Sequence, residues 1–596
     1  MNIPLSKNFK NNYSYGDYYS IVKQWENDKL IDESSVIISK IKYSEIDIDR
    51  FNGLEKNKFN NQFNINFNSS VSKNKIFSYL ELEPIIFDDG IYKRVESFEV
   101  NYRFSEIGKN KKTAIQSSVM RNGDWYQFYV HESGIHKIDR NFLENLGINV
   151  QSINPKKIRI FGNGGKMLTM LNSENYITDP VENSIKIIGE EDGSFDSGDY
   201  ILFYASGPKG YSSENNTNLN LCEDKTSYFL NVGSENGLRI NNFIEPQGES
   251  VFSIDFYTNY QFHENDEYNL AKIGRRWFGD RFDFENIKSF SFDIENLITD
   301  QPVDLKISAA ATSEIVTTMS VELNGSQLNT MVFGPIGDPI LATGNNFSSS
   351  VDLNSSTANI TLTYNNNGNP TSSAYLDYIS LEATSALNFN GGQLTFYNKD
   401  LDIESQIISY QISNTSNLSS IWDISDISDI SEISPNLDDN FSFKSIYSSS
   451  NKFIAFDDLN FYIPIIEGNT QVLNQNLKKN IFINSQNEIE PVDYIIIARS
   501  DMLLQAERLA DINREVNGLN VKVVELNKIY NEFSSGNQDI SAIRNFVRYV
   551  YNNSSNNNAL KYLCLFGDAS YDYKDRIPNN TNIIPSWNSL NSFSLS

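Results

Sequence analysis

Residues 491–526 read PVDYIIIARSDMLLQAERLADINREVNGLNVKVVEL, and the fold class turns on them. Residues 494–498 (YIIIA) are apolar without alternation, the pattern of a strand buried on both faces. Ser500 or Asp501 stands where a helix cap belongs. The apolar positions that follow, Met502, Leu509, Ile512 and Val516, are spaced seven, three and four apart, and Gly518 supplies the stop. A second strand is expected over 519–526. Asp539 then opens a helix with Ile543, Phe546, Val547 and Val550 on one face and Arg544 and Arg548 on the other. A third strand, 560–566 (LKYLCLF), ends at Gly567-Asp568. The order β-α-β-α-β predicts the opening half of an open parallel sheet, because right-handed crossovers leave few other windings. Such sheets bind ligands outside the carboxyl ends of their strands. Asp568, Asp572 and Asp575 gather there, in GDASYDYKDR, as candidates for ordering a loop, binding calcium or shaping a substrate cleft; helix capping and turn formation by Asp explain them equally well.

Composition narrows the rest. A chain of 596 residues is too long for one core and predicts three to five domains. Its 49 basic and 76 acidic side chains leave a net charge of −27, which disfavours nucleic acid and anionic membrane as partners and makes calcium more natural than phosphate. The 32 Tyr and 38 Phe favour β-structure for most of the length. Cys222 and Cys564 are too few for a disulfide framework. No run of 18 apolar residues exists, so no membrane-spanning helix is expected. The opening MNIPLSKNFKNNYS lacks the apolar core of a signal peptide.

Taken in order, the chain predicts a β-rich region at 1–115, with Asp88-Asp89-Gly90 as a turn, and a second β-rich domain at 116–245. One or two β-sandwiches follow at 250–480, a junction at 468–490, and the α/β unit at 491–596. Residues 124–130 and 135–138 read as a hairpin, followed by a helix over 139–146 closed by Gly147. Gly162-Asn163-Gly164-Gly165-Lys166 lacks the spacing and the helix start of a phosphate loop and reads as a tight turn. His131 and His136 flank the hairpin turn without a third metal ligand, and packing is the simpler role. Asp192, Asp196 and Asp199 lie in an acidic loop that either ligates calcium or forms a solvated turn. Arg275, Arg276 and Arg281 interleave with Trp277 and Phe278, which suggests Arg–aromatic packing within a β-domain rather than a nucleic-acid platform. The three-residue repeat over 422–433 (WDISDISDISEI) fits neither helix nor strand and reads as a loop.

Several stretches also carry a resemblance. VDYIIIARS, LKYLCLFGDASYDYK, GDWYQFYVHESGIHKIDRNFLENLGINV, KIRIFGNGGK, VENSIKIIGEEDGSFDSGDYILFYASGP, TSYFLNVG, GRRWFGDRFDF and AYLDYISLEA recur in one order. Together they resemble the gingipain-type cysteine peptidases, and within them the PorU family of C-terminal-signal peptidases and sortases of type IX secretion. The resemblance implies mostly β, sandwich-like domains followed by an incomplete caspase- or gingipain-like parallel sheet. It places the catalytic His and Cys downstream of Ser596, so no catalytic residue is assigned here and the chain alone is expected to be inactive. It implies C-terminal sorting domains of secreted cargo and outer-membrane type IX components as partners, and a site of action at the cell surface, outer membrane or periplasm. Cys564, mid-strand and without a neighbouring histidine, reads as a buried apolar residue, and Cys222 as part of a polar loop. The alternatives are a non-catalytic periplasmic or cell-surface β-rich binding protein and, on its Tyr and Trp alone, a carbohydrate binder.

Overall fold

The computed structural model describes residues 21–27, 31, 35–46, 63, 65–72, 75–88, 91–104, 115–172, 176–399, 401–436, 438–554 and 560–594. The opening 14 residues and the Asp89-Gly90 part of the expected turn lie outside them. The chain divides into two compact units, Met1–Ala114 and Ile115–Ser596. In the first, Lys75–Leu82 is the central strand between Ile21–Asn27 and Ile65–Ser72, and Ile91–Asn101 is central between Ile37–Glu45 and Ile85–Asp88. Both sheets are antiparallel and close on Leu80, Leu82, Ile86, Val95 and Phe98.

The second unit begins with a two-layer β-domain. Asp124–Val130 and Gly134–Asp139 do not form the expected hairpin. The former lies between Thr226–Val232 and Gln471–Val472 in a five-stranded sheet, while the latter pairs with Tyr200–Ala205 in a three-stranded one. The chain changes layer at Gly134, φ 152°, where a Cβ would come within 2.4 Å of the Gln393 side chain. The reason is burial. Phe128 and Val130 from one layer and Ile138 from the other meet in a shared core, which a flat hairpin cannot enclose. The helix Arg140–Asn145 follows, capped by Asp139, whose carboxylate accepts the Phe142 N–H at 2.8 Å, with Gly147 at φ 98° beyond its end. Gly164 and Gly165, at φ 77° and 66°, make the tight turn, and no helix starts there.

Two sandwiches follow, one inserted in the other. The host pairs the sheet containing Gln393–Phe396, Ser420–Asp423, Ser431–Ile433 and Phe453–Phe456 with that of Phe252–Ile254, Ile407–Ser413 and Asn440–Ile446. The guest packs Phe256–Glu264, Ser373–Ala386, Val303–Thr312 and Thr343–Val351 over Ile287–Asp293, Thr357–Asn365, Thr317–Leu323 and Ser326–Phe333. The repeat over 422–433 is only partly a loop, for its ends are ladder residues of the host. Between them Ser425 and Ser428 donate N–H bonds to Asp423 and Asp426 (3.0 and 2.9 Å), and Ile424 and Ile430 turn inward. Successive Asx turns thus accommodate a period of three.

In the terminal unit the strands Val521–Glu525, Tyr494–Ala498 and Tyr562–Phe566 form a parallel sheet in that order, with Ile496 opposite Val523 and Ile495 opposite Leu563. Ile495 through Ala498 are fully buried between helices, as their apolar run requires. The helix Leu503–Asn517 stops at Gly518, φ 62°, as expected, but packs differently from its apolar spacing. Ala506 and Ala510 face the sheet because small residues allow close approach, whereas Ile512 and Val516 are 57% and 75% exposed. Neither Ser500 nor Asp501 caps it: both lie in a preceding 3₁₀ turn, and Asp501 pairs with Arg499 at 2.7 Å. A further helix, Leu526–Phe533, precedes Ile540–Asn553, which Asp539 caps by accepting the Ser541 N–H at 2.7 Å. The 468–490 stretch is no loose junction. Buried Glu532 accepts bonds from the Gln475 amide (3.0 Å), Leu477 N–H (2.7 Å) and Lys478 N–H (3.0 Å), stitching it to the terminal unit.

Candidate functional site

The carboxyl edge of the parallel sheet leads into residues 567–594, which run back over the β-domains. Gly567 leaves the third strand so close to Ile583 that a Cβ would lie 2.6 Å from its Cγ2. Asp568 is exposed, and its carbonyl accepts the N–H of Ile583 at 3.0 Å and of Ile584 at 3.2 Å. Asp572 is fully buried. Its carboxylate accepts the N–H groups of Lys574 (3.2 Å), Ile577 (2.8 Å) and Arg576, and the Arg576 guanidinium at 3.2 Å. With its lone pairs thus engaged, Asp572 shapes the loop rather than facing solvent. Asp575 is exposed at φ 59°. The three aspartates share a loop but not a cleft.

The residues that gather here come from elsewhere in the chain. Trp277 lies buried between the Arg576 guanidinium, 4.3 Å from its ring centroid, and Tyr571, stacked at 5.8 Å and 26°. Phe278 stacks on Phe593 at 5.7 Å, and buried Arg275 donates to the Asn588 carbonyl at 2.6 Å. The Arg–aromatic packing of GRRWF therefore joins two domains instead of serving one. Behind Trp277 sit three buried carboxylates. Asp266 pairs with Arg576 at 2.9 Å and Asp377 with Arg276 at 3.3 Å, while Glu264 accepts from Thr217 Oγ1 (2.5 Å) and from Asn218 N–H (2.7 Å) and amide (2.9 Å). Burial pushes the Glu264 carboxyl up to about 7 and that of Asp377 up to about 6. Sequence reasoning missed this cluster. The available signal was Asp377, a charge in the apolar strand AYLDYISLEA.

No cysteine meets a histidine among the described residues. Cys222, expected in a polar loop, is buried against Ile540 and Tyr573, and burial raises its thiol pKa. Cys564 is half-buried beside Tyr494 and Ala506. His136 is buried beside Phe203 and Tyr462, its Nδ1 3.0 Å from the Gly134 carbonyl, and burial lowers it to about 4. His131 lies 3.1 Å from the Asp224 carbonyl, and His263 2.6 Å from the Asp280 carboxylate. Asp192 accepts the Ser194 N–H at 2.9 Å and Asp199 the Asp196 N–H at 2.6 Å, each within its own exposed turn. Among the described residues, no three His, Cys, Asp or Glu side chains are grouped to hold a metal ion. No described helix is long and apolar enough to cross a membrane.

Among the described residues the third strand has one neighbouring strand, and its far side is uncovered. Leu563 and Leu565 are 44% and 37% exposed, and a groove of about 460 Å³ runs between this strand and the helix Ile540–Asn553, lined by Arg544, Val547, Arg548, Tyr551 and Leu560.

Residues 487–595, the terminal unit, match the family model of peptidase family C25. Over 80% of its length the chain shares its fold with 45% of the crystal structure of dimeric latent PorU from Porphyromonas gingivalis, at a TM-score of 0.64 and 22% identity. It therefore spans less than half the length of that protein. The CBM36-1 domain of a multidomain xylanase from the hindgut metagenome of Trinervitermes trinervoides aligns with 21% of this chain and 96% of its own at 12% identity; its TM-score of 0.15 carries no argument. No curated protein matches the chain.

Proposed function

We propose that these residues are the β-rich portion and the opening of the catalytic domain of a PorU-like cysteine endopeptidase and sortase, which removes C-terminal sorting domains from type IX secretion cargo at the cell surface, outer membrane or periplasm. The observation that carries this reading is the parallel three-stranded C25 segment seated on β-domains with the PorU fold. The open edge of Tyr562–Phe566 supports it, because a parallel strand this apolar is stable when neighbours cover it, and further strands of a peptidase domain would pair there. A cysteine peptidase needs a thiolate and an imidazole within hydrogen-bond reach, and none of the three histidines meets either cysteine. Residues 1–596 are therefore expected to leave cargo peptides intact. Incubation with a peptide spanning a sorting-domain junction, followed by mass spectrometry, tests this. Cleavage by these residues alone would overturn the assignment of catalysis to segments outside them. Specific retention of an uncleaved sorting domain would favour the non-catalytic binding protein.

A further inference from the structure

At one end of the guest sandwich, the turn at 283–286 and the loop at 366–373 border a groove of about 790 Å³. This is within the range of small-molecule sites, and the peptidase reading makes no use of it. Phe284 stands at its mouth with 100% relative exposure, so its ring is open to a ligand in the groove. Its backbone is held by an N–H bond to the Asp283 carboxylate at 2.6 Å, so the ring projects from an anchored turn.

Apart from Pro370, the rest of the lining is amide, hydroxyl and one compensated ion pair. Arg281 bonds Asp283 at 3.0 Å and Ser373 Oγ at 3.1 Å, which cancels the charge in the groove while leaving both side chains partly exposed. Asn365 and Asn366 accept the N–H groups of Asn367 and Gly368, each at 3.0 Å, through their side-chain oxygens. Among the described residues their amide nitrogens donate to no protein group, so the loop's own turns hold two amides in the groove lining. A ligand matching these features carries many hydroxyls, no net charge and a flat C–H face to lie on an aromatic ring. An acidic ligand would be repelled by Asp283, and a basic one by Arg281.

We propose that this groove binds a neutral oligosaccharide, stacked on Phe284 and hydrogen-bonded by Asn365, Asn366 and the Arg281–Asp283 pair. The test is saturation-transfer NMR on the full chain with cellotriose, maltotriose, xylotriose and mannotriose, alongside trigalacturonic acid and a neutral hexapeptide. At least one neutral trisaccharide is expected to bind, and Phe284→Ala, at a fully exposed site, to weaken that binding at least tenfold with the melting temperature unchanged. Asn366→Ala is expected to weaken it several-fold. Absence of transfer to all four neutral sugars overturns the proposal, as does binding that Phe284→Ala leaves intact. Preference for the acidic sugar or the peptide likewise overturns it, the latter in favour of a protein partner.

Discussion

Trp277 is where the fastening of the terminal segment is most directly tested. Substituting alanine empties a buried site between Arg576 and Tyr571. Removal of a buried tryptophan costs about 3–5 kcal/mol, of which a desolvated cation over the ring accounts for about 1–2 kcal/mol. A chain of several domains does not unfold in one step, so the loss is better read locally than from a global midpoint. The reporters are the amides of Ile577, bonded to the Asp572 carboxylate at 2.8 Å, and Ile584, bonded to the Asp568 carbonyl at 3.2 Å. With about 3 kcal/mol removed from the closed state, their hydrogen exchange accelerates roughly a hundredfold in Trp277→Ala, while amides of the first strand, Tyr494–Ala498, change little. Combination with Arg576→Ala should give a coupling energy of about 1–2 kcal/mol. Unchanged exchange at Ile577 and Ile584, or additive effects of the two substitutions, would refute the view that this ring fastens the segment.

Other consequences are testable alongside. Glu264 has its pKa raised from 4.5 to about 7 in the folded chain, so the stability it contributes is complete below about pH 4.5 and lost as pH rises through 7. Wild type is expected to lose about 2 kcal/mol relative to Glu264→Gln between pH 5 and 8; parallel urea midpoints for the two proteins would count against it. Asp539→Ala removes both the cap of Ile540–Asn553 and the acceptor of the Leu168 N–H at 2.9 Å, and should destabilise the terminal unit by about 1–2 kcal/mol in urea titrations. Gly536→Ala places a Cβ at φ 81° within 2.6 Å of Ser227 Oγ, and limited proteolysis should show the loop at 534–539 opened. Leu563→Lys on the open strand should reduce self-association in light scattering without lowering the melting temperature, because that side chain packs against little.

The parallel sheet was legible because its signals are local. A short unbroken apolar run followed by a helix pattern points to a strand of a parallel sheet, and Asp539 before a 3.6-residue pattern marks a helix start. The failures are those of tertiary choice. Ile512 and Val516 looked like the buried face of their helix, but the sheet selected Ala506 and Ala510, which approach it more closely. Residues 124–138 have a hairpin's local pattern, yet a core between two layers drew the strands apart. Cys222 sits in a polar sequence and is buried only because Ile540 and Tyr573, more than 300 residues later, cover it. The same holds for the cluster around Trp277, whose members Glu264, Asp377 and Arg576 have no sequence spacing to connect them.

The nested sandwiches have a topological consequence. Phe256 and Ala386 are ladder partners, and the Leu387 N–H reaches the Asp255 carbonyl at 2.7 Å, so the guest leaves and rejoins its host at one doorway. To the host, 131 residues amount to the tip of a single hairpin. Excising the residues between Tyr257 and its ladder partner Ser385, so that Phe256 and Tyr257 stay in the host, and closing the gap with a short turn should leave the Tyr410, Phe443 and Phe453 core packed, which calorimetry of the shortened chain can check. Lineages of this architecture are thereby free to exchange the cassette, provided each newcomer offers the returning C-terminal segment a surface to grip.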